Sequence, residues 1–148
     1  MSAAALALTM VGAGPAEAGP DYNTREGVTT FGVTRCLAGH CAPQGLLSIS
    51  YDYVGSGGHM PWRIRSGFEY AGNVCNWWID FKATHRGEQT FHSQGTEQRC
   101  TWKGSRTHVE STMPSTWLPS GNMCAILYRD ASGGPAEVKR ACVAIDPE

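Results

Sequence analysis

The stretch Leu46-Leu-Ser-Ile-Ser-Tyr-Asp-Tyr53 decides the fold class. Leu47, Ile49, Tyr51 and Tyr53 alternate with Ser48, Ser50 and Asp52, a period of two. In a strand, successive side chains point to opposite faces, so the pattern predicts a half-buried strand. Gly55-Ser-Gly-Gly58 ends it. Pro61–Tyr70 repeats the alternation, with Trp62, Ile64, Phe68 and Tyr70 opposite Arg63, Arg65 and Glu69. Ala71-Gly-Asn73 turns the chain into Cys75–Thr84, where Cys75, Trp77, Ile79 and Phe81 form the apolar set. Thr90–Ser93 reads as a short edge strand, and Cys100–Trp102 and Thr107–Met113 as weaker, more polar ones. Two prolines make Pro114–Gly121 a loop. Met123–Arg129 and Val138–Ile145 flank Asp130-Ala-Ser-Gly-Gly-Pro135 as a closing hairpin. No run of a dozen residues carries helical spacing with caps. Strands recurring at this interval predict an all-β fold, an antiparallel β-sandwich of immunoglobulin-like architecture. A true immunoglobulin pattern is missing, because Cys75 and Trp77 stand too close and Tyr128 follows Cys124.

Upstream, Ala3–Val11 is a short apolar run followed by Gly12, Gly14, Pro15 and Ala16-Glu-Ala18. That is the order of a signal peptide with an A-x-A cleavage site, which assigns residues 1–18 to a leader and the protein to the extracellular space. Arg outnumbers Lys nine to three, a bias that fits a GC-rich bacterial genome. The polar segment Gly19–Thr34 follows, with Val28, Phe31 and Val33 as its few anchors. It reads either as a loose terminus or as an extended arm that meets a partner. Residues 35–148 then form the sandwich domain.

An even number of cysteines behind a leader implies disulfides. The sequence has six, and sequential pairing is expected: Cys36 with Cys41, Cys75 with Cys100 and Cys124 with Cys142. Cys36-Leu-Ala-Gly-His-Cys41 is a short loop turned by a glycine, and Cys124 and Cys142 fall opposite each other in the closing hairpin. Metal binding fails on spacing, with neither C-x2-C nor H-x3-H present, and no cofactor motif appears.

Other chemistry is weighed residue by residue. Lys plus Arg is 12 and Asp plus Glu is 13, which offers no drive toward nucleic acid. No apolar run of membrane-spanning length follows the leader. Ser56 and His59 share a Gly-rich loop that lacks the strand-to-helix turn of a nucleophile elbow. His85 and His92 could meet across a hairpin, but surface polar residues are the better reading of them. Glu69 and Asp80 are expected on neighbouring strands, where ion pairs with Arg63, Arg65 and Lys82 explain them better than glycosidase chemistry. Trp62 and Trp77 belong to apolar faces. Trp78 falls on the outward face of its strand and Trp117 in the proline-flanked loop, so both are candidate recognition residues, with cover by a second layer as the competing reading for Trp78.

Taken together, Ala16-Glu-Ala18, the polar segment Gly19–Thr34, and a bridged sandwich closing on Cys124-Ala-Ile-Leu-Tyr128 and Arg140-Ala-Cys142 resemble small secreted sandwich proteins of GC-rich soil bacteria. In layout the chain is similar to the connector subunit of umbrella toxin particles. The resemblance implies a non-enzymatic adaptor that joins protein subunits of an extracellular assembly, with the N-terminal arm as its contact element. The residues themselves, with none carried over from the family, give Val28, Phe31, Val33, Trp78 and Trp117 as the partner-contact set, and carbohydrate as a further candidate ligand. Two alternatives stay open: a protease inhibitor presenting the Cys36–Cys41 loop, preorganised by its bridge, and a small hydrolase whose polar residues converge only in space.

Overall fold

A computed structural model describes residues 22–32, 35–37, 40–42, 44–55, 57–102, 107–113 and 117–146. Every regular element among them is a strand. Ten occur in chain order: β1 (Tyr22–Phe31), β2 (Arg35–Leu37), β3 (His40–Ala42), β4 (Gly45–Val54), β5 (Pro61–Tyr70), β6 (Trp77–His85), β7 (Glu88–Ser93), β8 (Val109–Thr112), β9 (Gly121–Ala131) and β10 (Gly134–Ile145). They form two four-stranded antiparallel sheets, β1-β4-β5-β8 and β10-β9-β6-β7, and a separate β2-β3 hairpin.

The alternation in β4 and β5 supplies one wall of the core. Leu47, Ile49, Tyr51, Ile64 and Phe68 face Trp77, Ile79, Phe81, Ala83, Met123, Ala125 and Leu127 of the other sheet in one buried cluster. Two sheets each burying one apolar face against the other make a β-sandwich. Among the described residues two bridges tie it, Cys75–Cys100 and Cys124–Cys142. Cys124 and Cys142 are direct partners in the β9–β10 ladder, as the hairpin predicts. Cys36 and Cys41 are also register partners, in β2–β3. The Cys41 side chain lies outside the described part of the structure.

The N-terminal segment departs from the expected arm. Residues Tyr22–Phe31 pair with β4 along their whole length, from Tyr22 opposite Val54 to Phe31 opposite Gly45. The sandwich therefore begins at β1, not at residue 35. The reason lies on the inward face of β1. Phe31 is only 8 % exposed, stacked on Tyr70 at 5.4 Å and set edge-on to Phe68. Its ring occupies the space that a Cβ on Gly45 would need. Asn23, Arg25, Gly27 and Thr29 share this inward face with Phe31, so it does not read as apolar in the sequence and the strand is hidden.

β1 is an edge strand, and β10 lies close beside it. The Arg25 guanidinium donates to the Ala144 carbonyl at 2.8 Å, as does the Tyr51 hydroxyl at 3.2 Å. Gly27 permits this approach, because a Cβ there would run into the Cys142 carbonyl oxygen. Gly27→Ala forces backbone apart and is expected to lose about 2 kcal/mol, a typical overpacking cost. Urea unfolding reads the shift in midpoint; an unchanged midpoint would disprove the close packing of β1 on β10. The opposite side of the sandwich, between edge strands β7 and β8, is joined by a single described hydrogen bond, Ser93 Oγ to Ser111 Oγ at 3.0 Å. A cleft of about 500 Å³ opens there, with Trp77, Ile79 and Phe81 on its floor.

Candidate binding site

The outer face of the first sheet follows from its register. Across β1, β4 and β5, Thr24, Asp52 and Arg63 form one row. Glu26, Ser50 and Arg65 form the next, then Val28, Ser48 and Gly67, then Thr30, Leu46 and Glu69. Small residues at the centre leave a trough of about 510 Å³, lined by Val28, Leu46, Ser48, Ser50, Arg65 and Glu69 among others. Val28 is 66 % exposed and Leu46 42 %. They are diagonal neighbours on one face, so their methyl groups make one apolar rim.

The polar rim is built around Asp52, which is 4 % exposed although it points away from the core. Its Oδ2 accepts from Arg63 Nε at 2.9 Å and Nη2 at 2.7 Å. Its Oδ1 accepts from Arg65 Nη2 and Thr24 Oγ1, both at 2.8 Å. Burial alone pushes the Asp52 carboxyl up. The hydrogen bonds from Thr24 and Arg63 and the charges of Arg65 and Arg63 outweigh that, and the carboxyl sits below the usual carboxylate range. The network fixes Arg63 and Arg65, two side chains that are otherwise costly to order.

A second constellation gathers at the end of the sandwich where β4 turns into β5. The turn uses Gly55, Gly57 and Gly58 with φ near +80°, a conformation that favours glycine. It places His59 against the loop before β9. His59 Nδ1 donates to the Leu118 carbonyl at 2.7 Å, and Leu118 N–H donates to the His59 carbonyl at 2.7 Å. The His59 ring stacks on Trp117 at 5.0 Å with planes 7° apart, yet Trp117 remains 61 % exposed. Asp146, just past β10, joins through its N–H to the Gly57 carbonyl and through its carboxylate to Arg25 at 3.4 Å.

No family model and no curated protein matches this chain.

Of the five residues expected to contact a partner, the structure exposes Val28 and Trp117 but does not bring them together. Phe31 is corrected: it is core, for the packing reason given above. Val33 lies outside the described residues. Trp78 is half-buried on the outer face of the second sheet, stacked on Tyr128 at 5.6 Å, with Lys82 over the Tyr128 ring. The expected Glu69–Asp80 neighbourhood is also corrected. Glu69 is on β5 and Asp80 on β6, in different sheets. Asp80 keeps the expected ion pair with Lys82 at 4.0 Å, accepts from Gly95 N–H at 3.0 Å and lies 2.9 Å from His92 Nε2, while Arg63 and Arg65 serve Asp52. His85 and His92 do not meet, since a bulge at Ala83–Thr84 offsets the hairpin and their ladder partners are Glu88 and Lys82. Ser56 lies outside the described residues. Among the described residues no three His, Cys, Asp or Glu side chains are placed to hold a metal ion, and no helix is long and apolar enough to cross a membrane.

Sequence reasoning missed Leu46, Arg25, Asp146 and the exposed Trp102. Leu46 was legible: the strict alternation that buries Leu47 sends Leu46 outward. The meeting of Arg25, His59, Trp117 and Asp146 was not, because it joins four distant segments.

Proposed function

We propose that the protein is a secreted, non-enzymatic binding module that joins protein subunits of an extracellular, toxin-like assembly. The exposed Val28–Leu46 rim beside the Asp52–Arg63–Arg65 network carries this reading. An apolar patch flanked by ordered charged groups is the anatomy of a recognition surface. Building it on strands keeps the entropy lost on binding small. The contact element is therefore the outer face of β1 and β4, where a free arm was expected from the resemblance. The A-x-A leader and the disulfides support an oxidising, extracellular setting. The third bridge, Cys36–Cys41, and an immunoglobulin-like classification belong to the same reading.

Affinity purification of the tagged mature protein from the producing culture is expected to recover stoichiometric partner subunits. Val28→Asp with Leu46→Asp places charge in the apolar rim and is expected to reduce recovery at least about tenfold, the loss of a central contact. Both positions are exposed, so folding is preserved, and circular dichroism checks that. A protein that purifies alone in repeated trials, or a double variant that still recovers its partners, would sink the proposal.

A further inference from the structure

The Trp117 end of the sandwich carries chemistry that subunit joining does not use. Trp117 presents an indole plate with one face held against His59 and the rest of the ring open. An exposed tryptophan is ordinarily free to rotate. Here one side-chain and one backbone hydrogen bond between His59 and Leu118 hold the residue next to it in place. Polar groups converge beside it. The place a Gly57 Cβ would take is 2.8 Å from Asp146 Oδ2 and 3.0 Å from His59 Nε2. The equivalent place on Gly58 abuts the Tyr51 hydroxyl and is 3.4 Å from Arg25 Nε. Two adjacent residues without side chains thus leave room for groups from β1, β4, the β4–β5 turn and the end of β10 to approach one another.

The arrangement of donors and acceptors points to one class of ligand. A carbonyl only accepts, so His59 Nδ1 carries the hydrogen that meets Leu118, which leaves Nε2 as the ring nitrogen that can face a ligand. Asp146 adds carboxylate acceptors and Arg25 adds guanidinium donors. Arg25 and Asp146 already pair, so a charged ligand would have to displace a partner. A hydroxyl does not, because it donates to Asp146 while accepting from Arg25. Interleaved donors and acceptors of near-zero net charge beside a rigid aromatic plate match a pyranose. Its ring C–H face packs on indole, and its vicinal hydroxyls each donate and accept.

We propose that Arg25, His59, Trp117 and Asp146 form a binding site for a neutral saccharide. The site sits off the Val28–Leu46 rim, since Arg25 and Val28 project from opposite faces of β1. The two surfaces can therefore fail independently.

The test is isothermal titration of the mature, oxidised protein with three neutral hexasaccharides: β-1,4-linked glucose, β-1,4-linked N-acetylglucosamine and α-1,6-linked mannose. At least one is expected to bind saturably. Trp117→Ala is expected to weaken that binding at least about tenfold, the scale of a lost aromatic anchor. Asp146→Asn keeps the side-chain shape, removes the charge-assisted acceptor and releases Arg25, and is expected to weaken binding at least about fivefold. Val28→Asp with Leu46→Asp is expected to leave saccharide affinity unchanged while subunit recovery falls. No saturable binding to any of the three hexasaccharides overturns the proposal, as does binding that survives both Trp117→Ala and Asp146→Asn.

Discussion

Asp52→Asn is expected to destabilise the sandwich by about 3 kcal/mol at neutral pH, the lower end for breaking a buried ion pair. The lower end applies because Arg63 and Arg65 are each about a third exposed and regain water once Asp52 is neutral. The loss exceeds that of an exposed surface pair because Asp52 itself is buried and accepts four hydrogen bonds. In a domain of this size it corresponds to a melting shift of roughly 6–12 °C. The pH dependence has a definite sign. The folded carboxyl titrates below its unfolded value of about 3.9. Its contribution is therefore complete above that value and disappears as the pH falls through the folded pKa. Thermal melts of wild type and Asp52→Asn at pH 7, 5, 4 and 2.5 are expected to show a constant gap down to about pH 5 and a shrinking gap below about pH 4. Equal gaps at every pH would mean that the carboxylate charge contributes nothing. The same substitution frees the two arginines beside the Val28–Leu46 rim, so subunit recovery is expected to fall with it.

The strands that face the core on one side and water on the other were the legible part of this fold. β5 runs from Pro61 to Tyr70, as its alternation reads, and Leu47, Ile49 and Tyr51 are buried as theirs does. The hairpin that sets Cys124 against Cys142 was equally plain, because its turn and both apolar runs are local. What failed depended on partners far along the chain. Phe31 reads as an exposed anchor until Gly45 and Tyr70 supply its pocket. Asp52 and Asp80 occupy positions that the alternation assigns to the outward faces of their strands. Both are buried, one by arginines two strand positions apart on β5, the other by His92 and the Gly95 amide. Period two assigns a face; it does not say whether charged neighbours will close over that face. The division into sheets is likewise invisible locally, since β5 and β6 are consecutive yet belong to opposite layers.

Removing the bridge between β9 and β10 by Cys124→Ala with Cys142→Ala is expected to lose roughly 3 kcal/mol, the loop-closure value for a short cross-link. The cross-linked residues are 18 apart, against 25 for Cys75 and Cys100. Loop closure alone therefore ranks the second bridge higher by only a few tenths of a kcal/mol. Their surroundings separate them more. Cys124 is buried and its bridge spans two strands already joined on both sides, in continuous register from Lys139–Leu127 to Ile145–Gly121, so its loss leaves the ladder to hold the pair. Cys75 and Cys100 are both exposed and join irregular segments. Besides the bridge, those segments share the isolated pairings Val74–Thr101 and Trp77–Gln98 and the 2.7 Å bond from Trp77 Nε1 to Thr101 Oγ1. Cys75→Ala with Cys100→Ala is therefore expected to loosen residues 94–101, which border the cleft floored by Trp77 and Ile79, before the global transition. Hydrogen exchange distinguishes the two. Uniformly faster exchange across the sandwich is expected without Cys124–Cys142. Without Cys75–Cys100, the amides of Gly95, Gln98 and Thr101 are expected to lose protection first. Gly95 donates to Asp80, so its release also frees one of the bonds that make burial of that carboxylate tolerable. Identical exchange patterns for the two variants would show that the bridges act only on the unfolded chain. If the local pattern appears, the Cys75–Cys100 bridge acts in the folded state as the clamp on the open side of the sandwich, the side where the sheets themselves share one described hydrogen bond.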